Sequence, residues 1–392
     1  MDIIADEGQL HHPSPDVQKK FTIIERKEEF PGRVRTLIDE AKEENLSPYR
    51  FRLNIEKKLV DWLSENWWVD HIDESKGLNC DRDTKAEVEL AIRFFPNALS
   101  KQRNRRRCYP IYWQLGNRSG KCNLKAMPFI PLFAKLGMEL DKFTEEERGG
   151  LICGGCNVLV RFAVCNSHLV GDDEEHQQLV EKTSLAAMKE LVENDLFKIE
   201  HICEYNMIGE LCVQYIFSEQ RFLYMANWDP DSLILPSERG RLPIQLAAWH
   251  CKDRRGFRKV FEAGMQYFPK EMGGLFQRHC SYTAYQMACT RFGDEEVKKI
   301  LNDGFRKNYN NNSTCSILNS LIYAATDEMV DLDGVFEILQ RVLQRETSVL
   351  LQVQAATSRN MKSDENSQKR KSRSDENGRE SDDQGGKRQR NE

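Results

Sequence analysis

A segment of this chain recurs after about 40 residues, and this internal repeat constrains the fold more than any other feature. Residues 240–248 (GRLPIQLAA) align with residues 281–289 (SYTAYQMAC) at an offset of 41. Each copy is followed by apolar residues at i, i+3 and i+4 and then by a glycine, Gly264 or Gly304. A period of this length is typical of stacked repeats, in which each unit buries its apolar face against its neighbours. The pattern predicts turn, helix, connection and helix in each unit, with the glycine ending the second helix at positive φ.

Less regular copies extend the repeat in both directions. Upstream, residues 94–99 (FFPNAL) and 109–115 (YPIYWQL) follow each other in the same way as residues 228–233 (WDPDSL) and 242–247. Apolar spacing predicts a further helical pair over residues 157–213 and a degenerate last unit over 317–351. We therefore predict an all-α fold of stacked helix-turn-helix repeats over residues 85–357.

The N-terminal part has no copy of the repeat. Residues 1–30 are charged and contain two prolines, which favours a flexible leader. Residues 31–84 are predicted to form a helical cap, because Ile55, Leu59, Trp62 and Leu63 follow the i, i+4, i+7, i+8 spacing of an amphipathic helix. Asp83 is the predicted N-cap of the next helix.

The repeat has a family resemblance. Residues 242–249 (LPIQLAAW) resemble the TPLHxAA segment that opens an ankyrin repeat, with Leu242 in the threonine place and Gln245 in the histidine place. Residues 143–151 (FTEEERGGL) and 261–269 are similar to phrases found in a divergent, lineage-expanded set of ankyrin-like proteins. The period of about 40 and the absence of Gly and Pro from the opening of the second copy depart from the standard repeat. The resemblance implies stacked helix pairs that bind partners, and it brings no shared catalytic residues.

The sequence accordingly predicts a non-catalytic scaffold or adaptor that binds an unidentified protein through its turns and its concave helix face. No phosphate-binding GxxxxGK[ST] loop and no acid–base pairing of histidines is present, and no cofactor is expected. The net charge of −5 disfavours general nucleic-acid binding. The tryptophans Trp62, Trp67, Trp228 and Trp249 are expected in the core. Basic residues in the turns are the candidate partner-binding residues: Arg105, Arg106, Arg107, Arg239, Arg241, Arg278 and His279.

A zinc-stabilised regulatory module is the alternative hypothesis. Cys153, Cys156, Cys165 and His168 read C-x2-C-x8-C-x2-H, and soft ligands of this kind can enclose a tetrahedral zinc ion. The interval between the two halves is shorter than in most zinc modules. A small-residue loop before a buried helix explains the same residues without a metal.

The rest of the composition bears on the compartment. No run of 18 apolar residues is present, the N-terminus is too polar for a secretory signal, and the twelve cysteines are expected to be reduced. We therefore expect an intracellular protein, cytoplasmic or nuclear. Residues 358–392 are almost without apolar residues and are expected to be disordered. This tail is either a bipartite nuclear-import signal or a solubilising segment, and its basic clusters are Lys369, Arg370, Lys371 and Arg373, then Lys387, Arg388 and Arg390.

Overall fold

The chain divides into two units, Met1–Asn308 and Tyr309–Glu392, in a computed structural model. All the helices and strands given below belong to the first unit, and the predicted stack, which ends at residue 357, extends past it. The predicted last repeat and the tail lie almost entirely outside the described residues. The structure describes residues 15–44, 46–64, 77–102, 108–115, 122–153, 156–165, 174–214, 216–252, 254–279, 282–308, 335–336 and 339–340.

The described part is mostly helical, which confirms the all-α class. Its α-helices are α1 Pro15–Glu25, α2 Gly32–Glu43, α3 Pro48–Ser64, α4 Lys85–Phe94, α5 Asn97–Ser100, α6 Pro110–Trp113, α7 Ile130–Glu139, α8 Val158–Val164, α9 Glu174–Glu193, α10 Glu200–Glu204, α11 Met207–Cys212, α12 Glu219–Trp228, α13 Pro243–His250, α14 Arg254–Tyr267, α15 Ala284–Phe292 and α16 Asp294–Asn308. Two antiparallel hairpins pair β1 Ile152–Cys153 with β2 Cys156–Asn157 and β3 Arg278–His279 with β4 Tyr282–Thr283. None of the helices in these ranges is long and apolar enough to cross a membrane.

The prediction of a flexible leader is wrong for residues 15–30, because they contain helix α1, which packs against α3. Residues 1–14 lie outside the described residues. Ile23 and Phe30 are fully buried, and the ring of Phe30 meets the edge of Phe94 with 5.3 Å between centroids. The ammonium group of Lys20 lies over the ring of Phe51 and donates a hydrogen bond to Leu46 O at 3.0 Å. A few buried apolar side chains are thus sufficient to order residues 15–30, although their surroundings in the sequence are highly charged.

The predicted cap over residues 31–84 forms two helices, α2 and α3, which contact each other. All four apolar residues of the predicted amphipathic face are buried in α3. The predicted N-cap at Asp83 is wrong by one residue. Thr84 caps α4 instead, since its side chain accepts from Glu87 N while the Glu87 carboxylate accepts from Thr84 N at 3.0 Å. Asp83 is buried and ion-paired with Arg82 at 2.8 Å.

The helices of the repeats contact one another in chain order. Helix α13 packs against α14, and α15 packs against α16, as the repeat predicts. Between the pairs, α13 contacts α11 and α15, while α14 contacts α12 and α16. Further upstream, α11 contacts α8, and α9 contacts α7 and α12. Residues 157–213, predicted to be one helical pair, hold the four helices α8 to α11.

The glycines that were predicted to end the second helices lie inside them. Gly264 belongs to α14 and Gly304 to α16, and neither has a positive φ. A Cβ on Gly264 would lie 2.9 Å from Gly273 Cα, and a Cβ on Gly304 would lie 2.6 Å from the ring of Phe261. These glycines therefore permit close packing against the helix rather than a left-handed helix end.

A tight turn with left-handed residues occurs twice, after α7 and after α14. Arg148, Gly149 and Gly150 have φ of 47°, 67° and 90°, and the corresponding residues, 124 positions later, are Met272–Gly274 with φ of 51°, 61° and 77°. Each turn is followed by a two-stranded hairpin and by a side-chain N-cap that opens the next helix. The hairpins were not predicted, because strands of two residues are too short to show the alternation of apolar and polar residues that marks a strand.

The expectation of reduced cysteines holds only in part. Cys108 is disulfide-bonded, and its partner is not among the cysteines whose side chains are described. Its side chain lies in a small apolar cluster with Trp113, against which Tyr112 and Cys153 pack. Eight other cysteines of the described part are not in disulfides: Cys80, Cys122, Cys153, Cys165, Cys203, Cys212, Cys251 and Cys289.

Candidate partner-binding surface

The turn before α13 presents two of the predicted arginines. Its ends are joined by a hydrogen bond from Ser237 N to Arg241 O at 2.9 Å, and Gly240 supplies the left-handed conformation with a φ of 71°. Arg239 and Arg241 project from this closed turn, the first exposed and the second half-buried. The glycine that marks the repeat in the sequence is therefore needed for the shape of the turn.

Helix α13 places an exposed tryptophan beside this turn. Its first six residues, Pro243 to Ala248, are all buried, whereas Trp249 in the last turn is 51% exposed. The guanidinium of Arg241 lies 5.8 Å from the centre of the Trp249 ring. The expectation that Trp249 belongs to the core is therefore wrong. The buried positions of α13 end before it, and its ring packs with a cation on the surface.

The next repeat contributes a third arginine, from the end of α15. Arg291 donates hydrogen bonds to the last carbonyls of α13, from Nη1 to Trp249 O and from Nη2 to His250 O at 3.4 Å. Carbonyls at a helix C-terminus lack partners within the helix, so a cation is favourable there. Two successive repeats thus share one surface. We call it the basic–aromatic surface: Arg239, Arg241, Trp249, His250 and Arg291.

The electrostatics of this surface are dominated by its arginines. None of the three forms an ion pair with a carboxylate within the described residues. Burial, together with the positive charges of Arg241, Arg291 and Arg239, lowers the pKa of His250. The imidazole is therefore neutral at pH 7, and the positive charge of the surface comes from the guanidinium groups.

The other predicted binding residues are placed less informatively. Arg278 lies exposed on strand β3, and His279 is the next residue of that strand, with its side chain outside the described part. The remaining predicted residues lie outside the described ranges: Arg105, Arg106, Arg107, Lys369, Arg370, Lys371, Arg373, Lys387, Arg388 and Arg390.

The four predicted zinc ligands are divided by helix α8. Cys153 and Cys156 face each other across the hairpin that precedes the helix, whereas Cys165 follows its last residue. The seven residues of α8 rise about 10 Å along the helix axis, so the helix lies between the hairpin cysteines and Cys165 in the chain. Cys165 lies instead 3.5 Å from the guanidinium of Arg221. His168 lies outside the described residues, and within them no group of three or more His, Cys, Asp or Glu side chains could hold a metal.

Sequence reasoning missed Arg291 and His250 as members of the surface. Arg291 sits one helical turn after the repeated QxA segment of its own unit, and its contact with the neighbouring unit leaves no trace in a single sequence. Comparison of the chain with protein-family models, with curated proteins and with solved structures gave no match. The function is therefore inferred from the surface itself.

Proposed function

We propose that this protein is a non-catalytic interaction scaffold whose helix pairs stack in the manner of ankyrin repeats. The contacts of α8, α11, α13 and α15 with their neighbours in chain order support this architecture. In the proposal, the basic–aromatic surface docks an acidic segment of a partner protein. A guanidinium donates two parallel hydrogen bonds to a carboxylate, and a half-exposed indole offers apolar area for a neighbouring side chain.

The observation that carries the proposal is that Arg239, Arg241 and Arg291 have no carboxylate partner in the part of the chain that the structure describes. The arginines of the neighbouring helix α14 are all ion-paired: Arg254 with Glu296 at 2.6 Å, Arg255 with Glu219 at 2.9 Å and Arg258 with Asp303 at 3.4 Å. Three like charges next to each other repel, and carboxylates from a partner would relieve that repulsion. Helix α14 thus pairs its three arginines with carboxylates of the chain, whereas Arg239, Arg241 and Arg291 have no carboxylate partner among the described residues.

An acidic protein segment fits better than a nucleic acid. The whole chain carries a net charge of −5, so a long nucleic acid that extends beyond this surface is repelled, whereas a short acidic segment contacts the arginines alone. Three arginines on a surface only two repeats wide match a short acidic stretch with one apolar residue. Trp249 is the expected centre of the contact, since exposed tryptophans flanked by arginine are typical of binding hot spots.

Titration of the full-length chain with a panel of short peptides tests this function. The panel contains Asp/Glu-rich peptides with one aromatic residue, neutral peptides of the same length and a single-stranded oligonucleotide. We expect the acidic peptides to bind and the double variant Arg239→Glu, Arg241→Glu to lose at least about tenfold in affinity, because charge complementarity is reversed. Trp249→Ala is expected to cost about 2 kcal/mol of binding free energy, as for a hot-spot residue.

The matched control is Arg33→Glu with Arg50→Glu. Both residues are exposed on the N-terminal helices α2 and α3, and neither is ion-paired with a described residue. The control changes the net charge by the same amount, so a loss specific to the 239/241 variant locates binding on the basic–aromatic surface. Equal losses in both variants, or tighter binding of the oligonucleotide than of every peptide, would contradict the proposal.

We propose that the tail, residues 358–392, is a nuclear-import signal. Two basic groups separated by an acidic spacer suit a bipartite import signal. In this proposal the protein enters the nucleus when the signal is recognised and is cytoplasmic otherwise. Imaging of the full chain and of a chain ending at Thr357 distinguishes the two functions of the tail. Nuclear signal that is lost on truncation supports import, and an unchanged distribution identifies a solubilising segment.

A further inference from the structure

Two guanidinium groups of the basic–aromatic surface are anchored on a single residue, Trp249. Arg241 lies over the indole with its Cζ 5.8 Å from the ring centre. Arg291 donates from Nη1 to Trp249 O and from Nη2 to His250 O at 3.4 Å. Arg239 lies two residues before Arg241 in the closed turn. The surface therefore holds two of its cations at one exposed residue, with the third close by in the chain.

Most hydrogen-bond donors of these arginines are unused. Arg239 and Arg241 donate no side-chain hydrogen bond to any residue that the structure describes. Arg291 spends one bond from Nη1 and one from Nη2 on the carbonyls of α13, and its Nε has no partner in the described ranges. Because a guanidinium presents its N–H groups as a planar fork, each of the three can donate to the oxygens of an anion.

A phosphate monoester fits this arrangement better than carboxylates do. It carries a charge of about −1.5 to −2 at pH 7 and has three strong acceptor oxygens on one phosphorus atom. A carboxylate carries a single charge, and carboxylates on the same face of an extended peptide are about 7 Å apart. Arginines that are anchored at one residue can therefore share the oxygens of one phosphate, whereas each carboxylate pairs with one guanidinium.

We propose that the anion recognised by the basic–aromatic surface is a phosphorylated side chain in the acidic segment of the partner. This inference rests on the proposed function, in which the surface docks an acidic segment, and it names the group that binds there. The phosphate accepts hydrogen bonds from Arg239, Arg241 and Arg291, and Trp249 packs against the residue beside it. Phosphorylation of the partner then controls whether it binds.

The same surface favours a phosphorylated protein over other sources of phosphate. The phosphates of a nucleic acid are diesters with one charge each, and a long polyanion is repelled by the net charge of −5. Free phosphate leaves the indole of Trp249, which is 51% exposed, without an apolar partner. A peptide supplies both the phosphate and a side chain for the indole.

Calorimetric titration of the full-length chain with three peptides tests the proposal. The peptides are acidic, carry one aromatic residue, and differ only at the position beside it, which is serine, glutamate or phosphoserine. We expect the phosphoserine peptide to bind at least about tenfold more tightly than the glutamate peptide, because it adds charge and acceptor oxygens at the same place. Equal affinities would overturn the phosphate proposal and leave the proposed function standing, whereas no binding of any peptide would contradict both.

Lysine variants locate the phosphate on the surface. Arg241→Lys and Arg291→Lys each keep the positive charge but lose the planar fork. We expect each to lower the ratio of phosphoserine to glutamate affinity at least about threefold. Arg33→Lys is the control, since Arg33 is exposed on α2 and not ion-paired with a described residue, and it should leave the ratio unchanged. After circular dichroism has confirmed that the variants are folded, a ratio that neither surface variant changes would overturn the proposal.

Two further probes distinguish the sources of phosphate. Inorganic phosphate is added at the same ionic strength as a sodium chloride control, and vesicles containing a phosphorylated inositol lipid are titrated separately. We expect inorganic phosphate to displace the phosphoserine peptide more effectively than chloride does, and the vesicles to bind more weakly than this peptide. Tighter binding of the vesicles or of a single-stranded oligonucleotide than of the phosphoserine peptide would overturn the assignment to a phosphorylated protein.

Discussion

At the scale of single residues, Gly273 is needed because it has no side chain. Gly273 has a φ of +61°, and a Cβ there would lie 2.9 Å from Gly264 C and 3.0 Å from Met265 N. These neighbours are backbone atoms of α14, which cannot turn aside as a flexible side chain could. Gly273 is therefore required twice, by its conformation and by the approach of the turn to the helix.

Gly273→Ala is expected to lower the free energy of unfolding by about 2–4 kcal/mol, the sum of a left-handed alanine and overpacking. Gly293 is the control, since its φ is +84° but no atom lies within 4 Å of the added Cβ. With its ψ of 145°, Gly293 has a backbone conformation that is essentially limited to glycine, so Gly293→Ala should cost a conformational part of about 1–3 kcal/mol and no overpacking. Urea unfolding measures both, and similar losses would show that the close approach contributes nothing.

A buried histidine in α10 makes the stability depend on pH. Burial, and then the positive charge of Arg148, lower the pKa of His201, while Glu204 and Glu200 act in the opposite direction and Lys198 lowers it further. Its Nδ1 accepts from Lys198 N at 3.1 Å, which requires the neutral ring. In the pH range just below 6.5 the unfolded chain binds a proton that the folded chain does not, so acidification destabilises the fold.

We expect the free energy of unfolding to fall as the pH drops from 7 toward 5, with His201 contributing at most about 1.4 kcal/mol per pH unit. His201→Gln keeps an acceptor for Lys198 N but does not titrate, so its curve should be flatter in this range. Urea unfolding at several pH values gives both curves. A variant whose slope equals that of the wild type would assign the pH dependence to other groups.

At the scale of the elements, one buried side chain joins consecutive parts of a repeat. Gln245 of α13 accepts from Leu242 N at 2.9 Å through Oε1 and donates to Gln277 O at 2.9 Å through Nε2. It thus fixes the start of α13 and holds the chain just before hairpin β3–β4. The corresponding Gln286 accepts from Thr283 N at 3.1 Å but is only half-buried. The glutamine shared by both copies of the repeat therefore has a common role in opening the first helix.

Gln245→Leu is expected to cost about 2–4 kcal/mol, because a buried N–H and a buried carbonyl lose their partners together. Gln286→Leu should cost about 1 kcal/mol, the usual effect of losing a cap. Thermal or urea unfolding measures the difference. If Gln286→Leu proves the more damaging of the two, the role of Gln245 in joining the helix to the hairpin is not supported.

At the scale of the whole molecule, Arg221 is the point where three helices meet. Its bonds reach the end of α8, Glu181 on α9 and Ser218 just before its own helix α12. A buried ion pair adds less to stability than its contacts suggest, since both charges must leave water. The ion pair contributes more to the specificity of helix packing than to stability, because alternative packings of these helices would leave a buried charge unpaired.

Arg221→Met is expected to destabilise the protein by about 3–5 kcal/mol, since Glu181 and two carbonyls are left without their partner. The double variant Arg221→Met, Glu181→Met should be more stable than the single variant by about 1–2 kcal/mol, because no unpaired charge remains. Unfolding free energies of the four species form a double-mutant cycle. If the double variant is less stable than Arg221→Met, the unpaired carboxylate of Glu181 is not what destabilises the single variant.

Predictions that depend on interactions between residues close in the sequence agree with the structure, and those that depend on distant residues do not. Helix α13 begins at Pro243 as predicted, because a proline at the first helical position acts through its own backbone. The apolar face of α3 was also predictable, since helical periodicity is local. Gly264 was wrongly predicted to end the helix, because its packing against Gly273 follows from the tertiary structure and not from the local sequence. The candidate surface was half predicted: Arg239 and Arg241 lie in a recognisable turn, whereas Arg291 reaches it from another repeat.

The sequence by itself determined the helical class, the repeated unit and the turn that carries Arg239 and Arg241, because each depends on spacing within a few residues. Only the tertiary structure decided that Trp249 is exposed and that Arg221 is buried. Charge and hydrophobicity gave the opposite expectation for Trp249 and no indication for Arg221. Burial depends on what packs against a side chain, and these neighbours lie about 40 residues away in the chain, as Glu181 does for Arg221 and Trp249 for Arg291.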